Sequence, residues 1–164
     1  MTRWYAIRAS ARWEVLASDE LSRRGIETYL PLCRVKRRWS DRVKIIDQPL
    51  FSGYLFGRFR LADRIRVLES PGVRQIVGIG AAPAPIAANE IDNLRTLVAA
   101  HPLLVSWPYL QAGQKVRIDR GPLAGVEGFV VRAEKSALRI VVSVDLLQRS
   151  VAAEIDRDCI GAIE

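Results

Sequence analysis

The chain has 164 residues, is 49% apolar and carries a formal charge of +7. That length holds one ordinary domain or two small ones, and the apolar fraction excludes wholesale disorder. Residues 1–106 hold 17 Lys/Arg against 10 Asp/Glu, whereas residues 107–164 hold 8 against 8, so the excess charge belongs to the first part. Such asymmetry suits a first segment working near phosphates and a neutral second module with another task.

Residues 3–9 read as a strand. Ser10 is the expected N-cap of a helix ended by Gly25, with Trp13, Leu16, Ala17 and Leu21 as its buried stripe. Glu27 to Trp39 reads as extended, with Pro31 confining it to an edge or a strand start. Ser40-Asp41 is a turn, and Val43 to Ile46 returns antiparallel. An aromatic strand follows at 53–60, then a short helix over 62–69 stopped by Pro71-Gly72. Val73 to Gly78 is a strand and 81–88 a loop. Asn89 caps a last helix reaching Ala100. The order β-α-β-β-β-α-β-α gives an α+β sandwich with a mainly antiparallel sheet.

Residues 102–112 form an apolar linker expected to pack on one of the two domains. Short strands then alternate with turns at 115–118, 128–133, 138–144 and 150–155, a small β-barrel. The domains expected are thus 1–101 and 113–164, joined by 102–112. No segment approaches the roughly 20 apolar residues of a membrane span. No secretory signal is recognisable ahead of Trp4-Tyr5-Ala6-Ile7. A reducing cytoplasm is the expected home, with Cys33 and Cys159 as buried thiols.

Catalytic equipment is sparse. The single histidine, His101, falls at an expected helix end, where a structural cation is the simpler role. Two separated cysteines and one histidine build no zinc site. No phosphate loop, dinucleotide fingerprint or nucleophile elbow occurs. The expectation is a binding protein with large partners, no cofactor, no metal and no enzymatic activity.

Two stretches carry the functional signal. Pro49-Leu50-Phe51-Ser52-Gly53-Tyr54-Leu55-Phe56 sets three aromatics around a glycine. It follows a run with six cations: Arg34, Lys36, Arg37, Arg38, Arg42 and Lys44. Alternation puts Phe51 and Leu55 on one face and Tyr54 and Phe56 on the other, so both faces carry rings and one of them needs a partner. Tyr54 is the better candidate for an exposed anchor. The second stretch, residues 113–128, runs Gly-Gln-Lys-Val-Arg-Ile-Asp-Arg-Gly-Pro-Leu-Ala-Gly-Val-Glu-Gly. Val116 and Ile118 bury one strand face, Gly121-Pro122 makes a tight turn, and Gly125 and Gly128 allow positive φ or close backbone approach.

The second stretch resembles the KOW motif, although two ordinary hairpins with turn glycines would read alike. Residues 139–147 and 151–155 match the same barrel. Trp4-Tyr5, the aromatic stretch, Pro71-Gly72-Val73 and Pro83-x-Pro85-Ile86 occur in the order of the NusG N-terminal domain. The chain therefore resembles NusG-family transcription elongation and antitermination factors over nearly its whole length. It looks closer to specialised paralogues of the RfaH or UpxY kind than to housekeeping NusG, through Leu-Phe-x-x-Tyr-Leu-Phe, Arg-Arg-Trp-x-Asp-Arg and Trp107-Pro108-Tyr109.

That resemblance implies a monomer that binds bacterial RNA polymerase across its cleft and suppresses pausing or termination. It implies contacts to the β′ clamp helices through Tyr5, Phe51, Tyr54 and Phe56, and to the β gate loop through Arg64, Ile65 and Arg66. The basic hairpin with Arg37, Arg38, Trp39 and Arg42, together with Arg74, is the candidate contact to non-template DNA or nascent RNA. Leu146, Leu147 and Arg149 fall where the family meets Rho or a small-subunit ribosomal protein. Housekeeping members carry Phe-Gly where this chain has Leu147-Gln148. RfaH can refold this domain into a helical hairpin; here the β-branched run 140–144 favours a stable strand. The alternative reading is an RNA-binding KOW module of a ribonucleoprotein.

Overall fold

The computed structural model describes residues 1–100, 104–107, 114–132, 138–147, 149–155 and 160–162. Contacts divide the chain into two units, Met1–Ala88 and Asn89–Glu164.

The first unit opens with β1 (Arg3–Ala9), α1 (Glu14–Arg23) and β2 (Glu27–Tyr29). A long ribbon of β3 (Leu32–Arg38) and β4 (Val43–Pro49) precedes β5 (Tyr54–Phe59). A 3-10 turn (Leu61–Asp63) then leads into α2 (Arg64–Leu68), followed by β6 (Val73–Ile76) and a two-residue hairpin, β7 (Gly78–Ile79) with β8 (Ala82–Pro83). The central sheet has the order β2-β5-β1-β6, while β3 and β4 pair only with each other. β1 runs antiparallel to β5, with Ile7 opposite Leu55 and Arg8 opposite Tyr54.

Alternation along β1 sends Tyr5, Ile7 and Ala9 to one face. There they pack with Leu55 and Phe59 of β5, Ala17 and Leu21 of α1, Val67 of α2, and Ile26. The helix stripe is rotated from the expected one. Glu14, Ala17 and Leu21 are buried, while Trp13 and Leu16 are exposed. Ser10 is not the cap either. Its carbonyl accepts from the Trp13 N–H at 2.9 Å, a turn that delays the helix to Glu14. The helix stops as expected: the Gly25 N–H reaches the Ser22 carbonyl at 3.0 Å and the Ile26 N–H reaches Leu21 at 3.0 Å, a Schellman ending. The segment 81–88, expected as loop, contributes β8.

In the second unit α3 (Ala88–Ala99) is followed by β9 (Leu104–Trp107), β10 (Gln114–Ile118), β11 (Glu127–Arg132) and β12 (Leu138–Val144). A 3-10 turn (Asp145–Leu147), β13 (Arg149–Ile155) and β14 (Ile160–Ala162) complete it. Asn89 lies inside α3, not at its cap. The strands form one antiparallel sheet, β14-β10-β11-β12-β13-β9. Its core is aliphatic: Val116, Ile118, Val126, Ile140, Val141, Val144 and Val151 are all buried. Gly128 has a clear purpose, since a Cβ there would collide with the Val141 carbonyl oxygen on β12. The run 140–144 is strand, in line with its β-branched side chains. Residues 104–107 of the expected linker add to the sheet as an edge strand, with Val105 opposite Ala152.

Candidate docking and nucleic-acid surfaces

Tyr54 begins β5 on a turn built from Phe51, Ser52 and Gly53. The Tyr54 N–H closes on the Phe51 carbonyl at 3.0 Å, and Gly53 sits at φ +84°, the third position of a type II turn. Because 51–53 is a turn, strand alternation does not govern Phe51. Its ring lies edge-on to Phe56 at 6.4 Å and is buried. Phe56 is wholly buried, and Tyr29 stacks on it at 6.3 Å. Tyr5 points to the helix-covered face, stacked on Phe59 at 4.7 Å. Of the four rings expected at one surface, three are therefore core and only Tyr54 is half-exposed.

The exposed Arg8 stands directly across the strand pair from Tyr54, a neighbour the sequence pattern did not single out. Strand pairing is needed to find it, because the two lie 46 positions apart. Trp13 is 47% exposed and Leu16 41%, so both add apolar surface on α1.

Arg64, Ile65 and Arg66 all lie exposed on α2. Ile65 continues a stripe with exposed Leu61 and Leu68 at helical spacing. The two arginines are partly engaged at home. Arg66 Nη2 donates to the Arg24 carbonyl at 2.6 Å, where it caps α1, and Arg64 Nη1 donates to the Leu61 carbonyl at 3.4 Å.

The ribbon tip gathers the expected nucleic-acid residues. The Trp39 N–H bonds to the Arg42 carbonyl at 2.8 Å, closing the turn. Lys44 Nζ lies 4.3 Å from the Trp39 ring centroid and Arg42 Cζ 6.0 Å, so two cations ride on the indole. Arg38, Trp39 and Arg42 are exposed. Arg37 pairs in register with Lys44, and its side chain lies outside the described residues. Arg74 is exposed on β6, with its Nε donating to Ser10 Oγ at 3.2 Å. Cys33 is half-buried, not fully as expected, and burial pushes its thiol pKa up; Cys159 lies outside the described residues.

In the second unit a cleft of about 400 Å³ separates α3 from the sheet, lined by Glu90, Asn93, Lys115, Glu127, Ser143 and Asp145 among others. The Asn93 side-chain amide clasps the Glu127 backbone. Its Oδ1 accepts from the Glu127 N–H at 3.2 Å, and its Nδ2 donates to the Glu127 carbonyl at 3.5 Å. Burial, then the Asp145 carboxylate, raises the Glu90 pKa, against a lowering hydrogen bond from the Asp145 backbone. Leu147 is buried and Arg149 exposed, while the Leu146 side chain and Gln148 lie outside the described residues. Among the described residues no group of three His, Cys, Asp or Glu could hold a metal.

A family model described as "Transcription termination factor nusG" matches residues 2–95. The chain belongs to the NusG family. It is similar to the transcription termination/antitermination protein NusG of Deinococcus radiodurans, 26% identical with 93% of this chain and 95% of that protein covered. The Thermus thermophilus protein of the same description is 24% identical, with 93% and 94% covered. A solved structure reporting domain interaction in Thermotoga maritima NusG superposes with a TM-score of 0.58 at 20% identity, covering 100% and 98% of the two chains. That last likeness speaks for the fold alone.

As a NusG-family member, the chain is a transcription elongation/antitermination factor and not an enzyme. The second sheet is consistent with the family's KOW domain. In NusG terms the matched region 2–95 contains Tyr54, the basic ribbon, α2 and most of α3. No helix among the described residues is long and apolar enough to cross a membrane.

Proposed function

We propose that this protein is a specialised NusG paralogue of the RfaH or UpxY kind, acting in the cytoplasm as a monomer on bacterial RNA polymerase. Its working domains are 1–101 and 113–164, with 102–112 between them. The first domain bridges the cleft, holds the clamp closed and disfavours the paused state. The effect is differential binding of the elongating form. Tyr54, with Arg8 opposite it across the strand pair, docks on the β′ clamp helices, while Tyr5, Phe51 and Phe56 lie in the core. Ile65, flanked by Arg64 and Arg66, meets the β gate loop. Arg38, Trp39 and Arg42 of the ribbon, with Arg37 in the same run and Arg74 on β6, contact non-template DNA or nascent RNA. Arg149, next to Leu146 and Leu147, is the barrel's offered contact to Rho or a small-subunit ribosomal protein.

The observation that carries this reading is the half-exposed Tyr54 at the head of β5, held on an ordered turn beside a cation. An aromatic anchor of this kind contributes about 2 kcal/mol to an interface. Tyr54→Ala should therefore weaken binding to core polymerase about 30-fold, measured by biolayer interferometry with unchanged thermal melting. Wild-type affinity in that variant would remove the docking surface. The alternative of an RNA-binding barrel gains nothing from residues 107–164, whose charges cancel.

A further inference from the structure

The turn that presents Tyr54 is held by a buried carboxylate for which the docking contacts have no use. Glu14, the first residue of α1, is 6% exposed, and its Oε2 accepts a hydrogen bond from the Gly53 N–H at 3.2 Å. The Gly53 carbonyl in turn accepts from the Ala9 N–H at 2.8 Å. Both polar groups of Gly53 are thus fastened, one to α1 and one to the end of β1. The chain reaches Glu14 through Arg12, whose φ of 67° makes it the only non-glycine residue at positive φ among the described residues. A non-glycine residue held in that region costs on the order of 1 kcal/mol and persists where the surroundings fix it.

Burying a carboxylate is costly unless it is hydrogen-bonded, and a well-packed apolar residue often serves stability as well or better. The gain here is geometric. The Glu14 bond is made to the Ser52–Gly53 peptide and the Ala9 bond to the Gly53–Tyr54 peptide, so the two together hold the units on either side of Gly53, just before β5 begins.

We infer that Glu14 is a positioning residue: through the Gly53 N–H it fixes the Phe51–Tyr54 turn, and so aims Tyr54 at a protein partner that Glu14 itself does not touch. This rests on the docking reading of Tyr54.

The experiment compares the full-length chain with Glu14→Ala, Glu14→Leu, Glu14→Gln, Tyr54→Ala and the Glu14→Leu/Tyr54→Ala pair. Affinity for core polymerase, amide hydrogen exchange at Gly53 and Tyr54, and thermal melting are measured for each. Glu14→Ala and Glu14→Leu should lose about tenfold in affinity and speed exchange at Gly53; Leu fills the space, so it serves if Ala does not fold. Glu14→Gln keeps an acceptor oxygen and should stay within about threefold of wild type, because the acceptor and not its charge is what the turn needs. The double variant should bind no worse than Tyr54→Ala alone, a non-additivity that general destabilisation would not produce. Wild-type affinity in Glu14→Leu, equal losses in Glu14→Gln and Glu14→Leu, or additive losses in the double variant would each overturn the inference while the docking surface stands. Wild-type affinity in Tyr54→Ala would overturn both.

Discussion

Glu90 loses solvent in the cleft under α3 and faces the Asp145 carboxylate, so its proton is held more tightly than in the unfolded chain. Lys115 and Glu127 line the same cleft. A carboxyl whose folded pKa is raised contributes stability that is full below the unfolded pKa and is lost as pH rises through the folded one. Glu90→Gln removes that loss and keeps an oxygen for the Asp145 N–H. The variant should therefore be more stable than wild type at neutral pH, and the gap should close as pH falls below the carboxyl range. Urea midpoints between pH 4 and 8 test the sign; a gap that widened in acid would refute it. Nothing in the sequence marked Glu90, because its partner lies 55 positions away. Tyr54 was expected as the exposed ring and is half-exposed, although the strand was read without the turn that Gly53 makes. Alternation could not say that Phe51 had left the strand, nor which face was already covered.

The same limit acts on whole elements. Helical spacing correctly marked a helix after β1, ended by the Gly25 Schellman turn. Two residues of its stripe, Ala17 and Leu21, do face the core, while Trp13 and Leu16 are exposed and Glu14 is buried beside them instead. Size is a poor guide to burial where a helix lies close over a sheet. The gap beside α1 is narrow: a Cβ on Gly72 would already lie 3.2 Å from the Ala17 Cβ. Stability should follow the observed stripe. Leu21→Ala should cost about 2–5 kcal/mol through lost burial and a cavity. Trp13→Ser, at an exposed site, should cost roughly 0.5 kcal/mol or less. Denaturant midpoints of the two variants separate the phases directly, and a larger loss in Trp13→Ser would restore the original stripe. The strand 138–144 needed no such correction, because its β-branched run favours a strand, and the expected strand 150–155 begins one residue earlier, at Arg149.

At the scale of the molecule, a basic first part and a neutral second part were visible in the distribution of charge along the chain. The pairing of 104–107 with β13 was not, since it depends on a non-local register. The charge division makes its own demand. If the ribbon is the nucleic-acid contact, the salt dependence of binding belongs to Arg38 and Arg42, while Trp39 supplies stacking. These are separable, because counterion release scales with the phosphates neutralised and stacking does not. With a labelled single strand and the full-length chain, replacing both Arg38 and Arg42 by Ala should reduce the magnitude of the slope of log K against log salt by about 1.4. Trp39→Ala should weaken binding by about 1–3 kcal/mol at every salt concentration and leave the slope nearly unchanged. Lys115→Ala, in the neutral barrel, should alter neither. The cations riding on the indole complicate the middle case in one direction only: freeing Lys44 from the ring changes where its charge sits but not how many charges the ribbon holds. A slope that fell in Lys115→Ala and held in the double arginine variant would move the nucleic-acid surface from the ribbon to the barrel, and with it the division of labour between the two units.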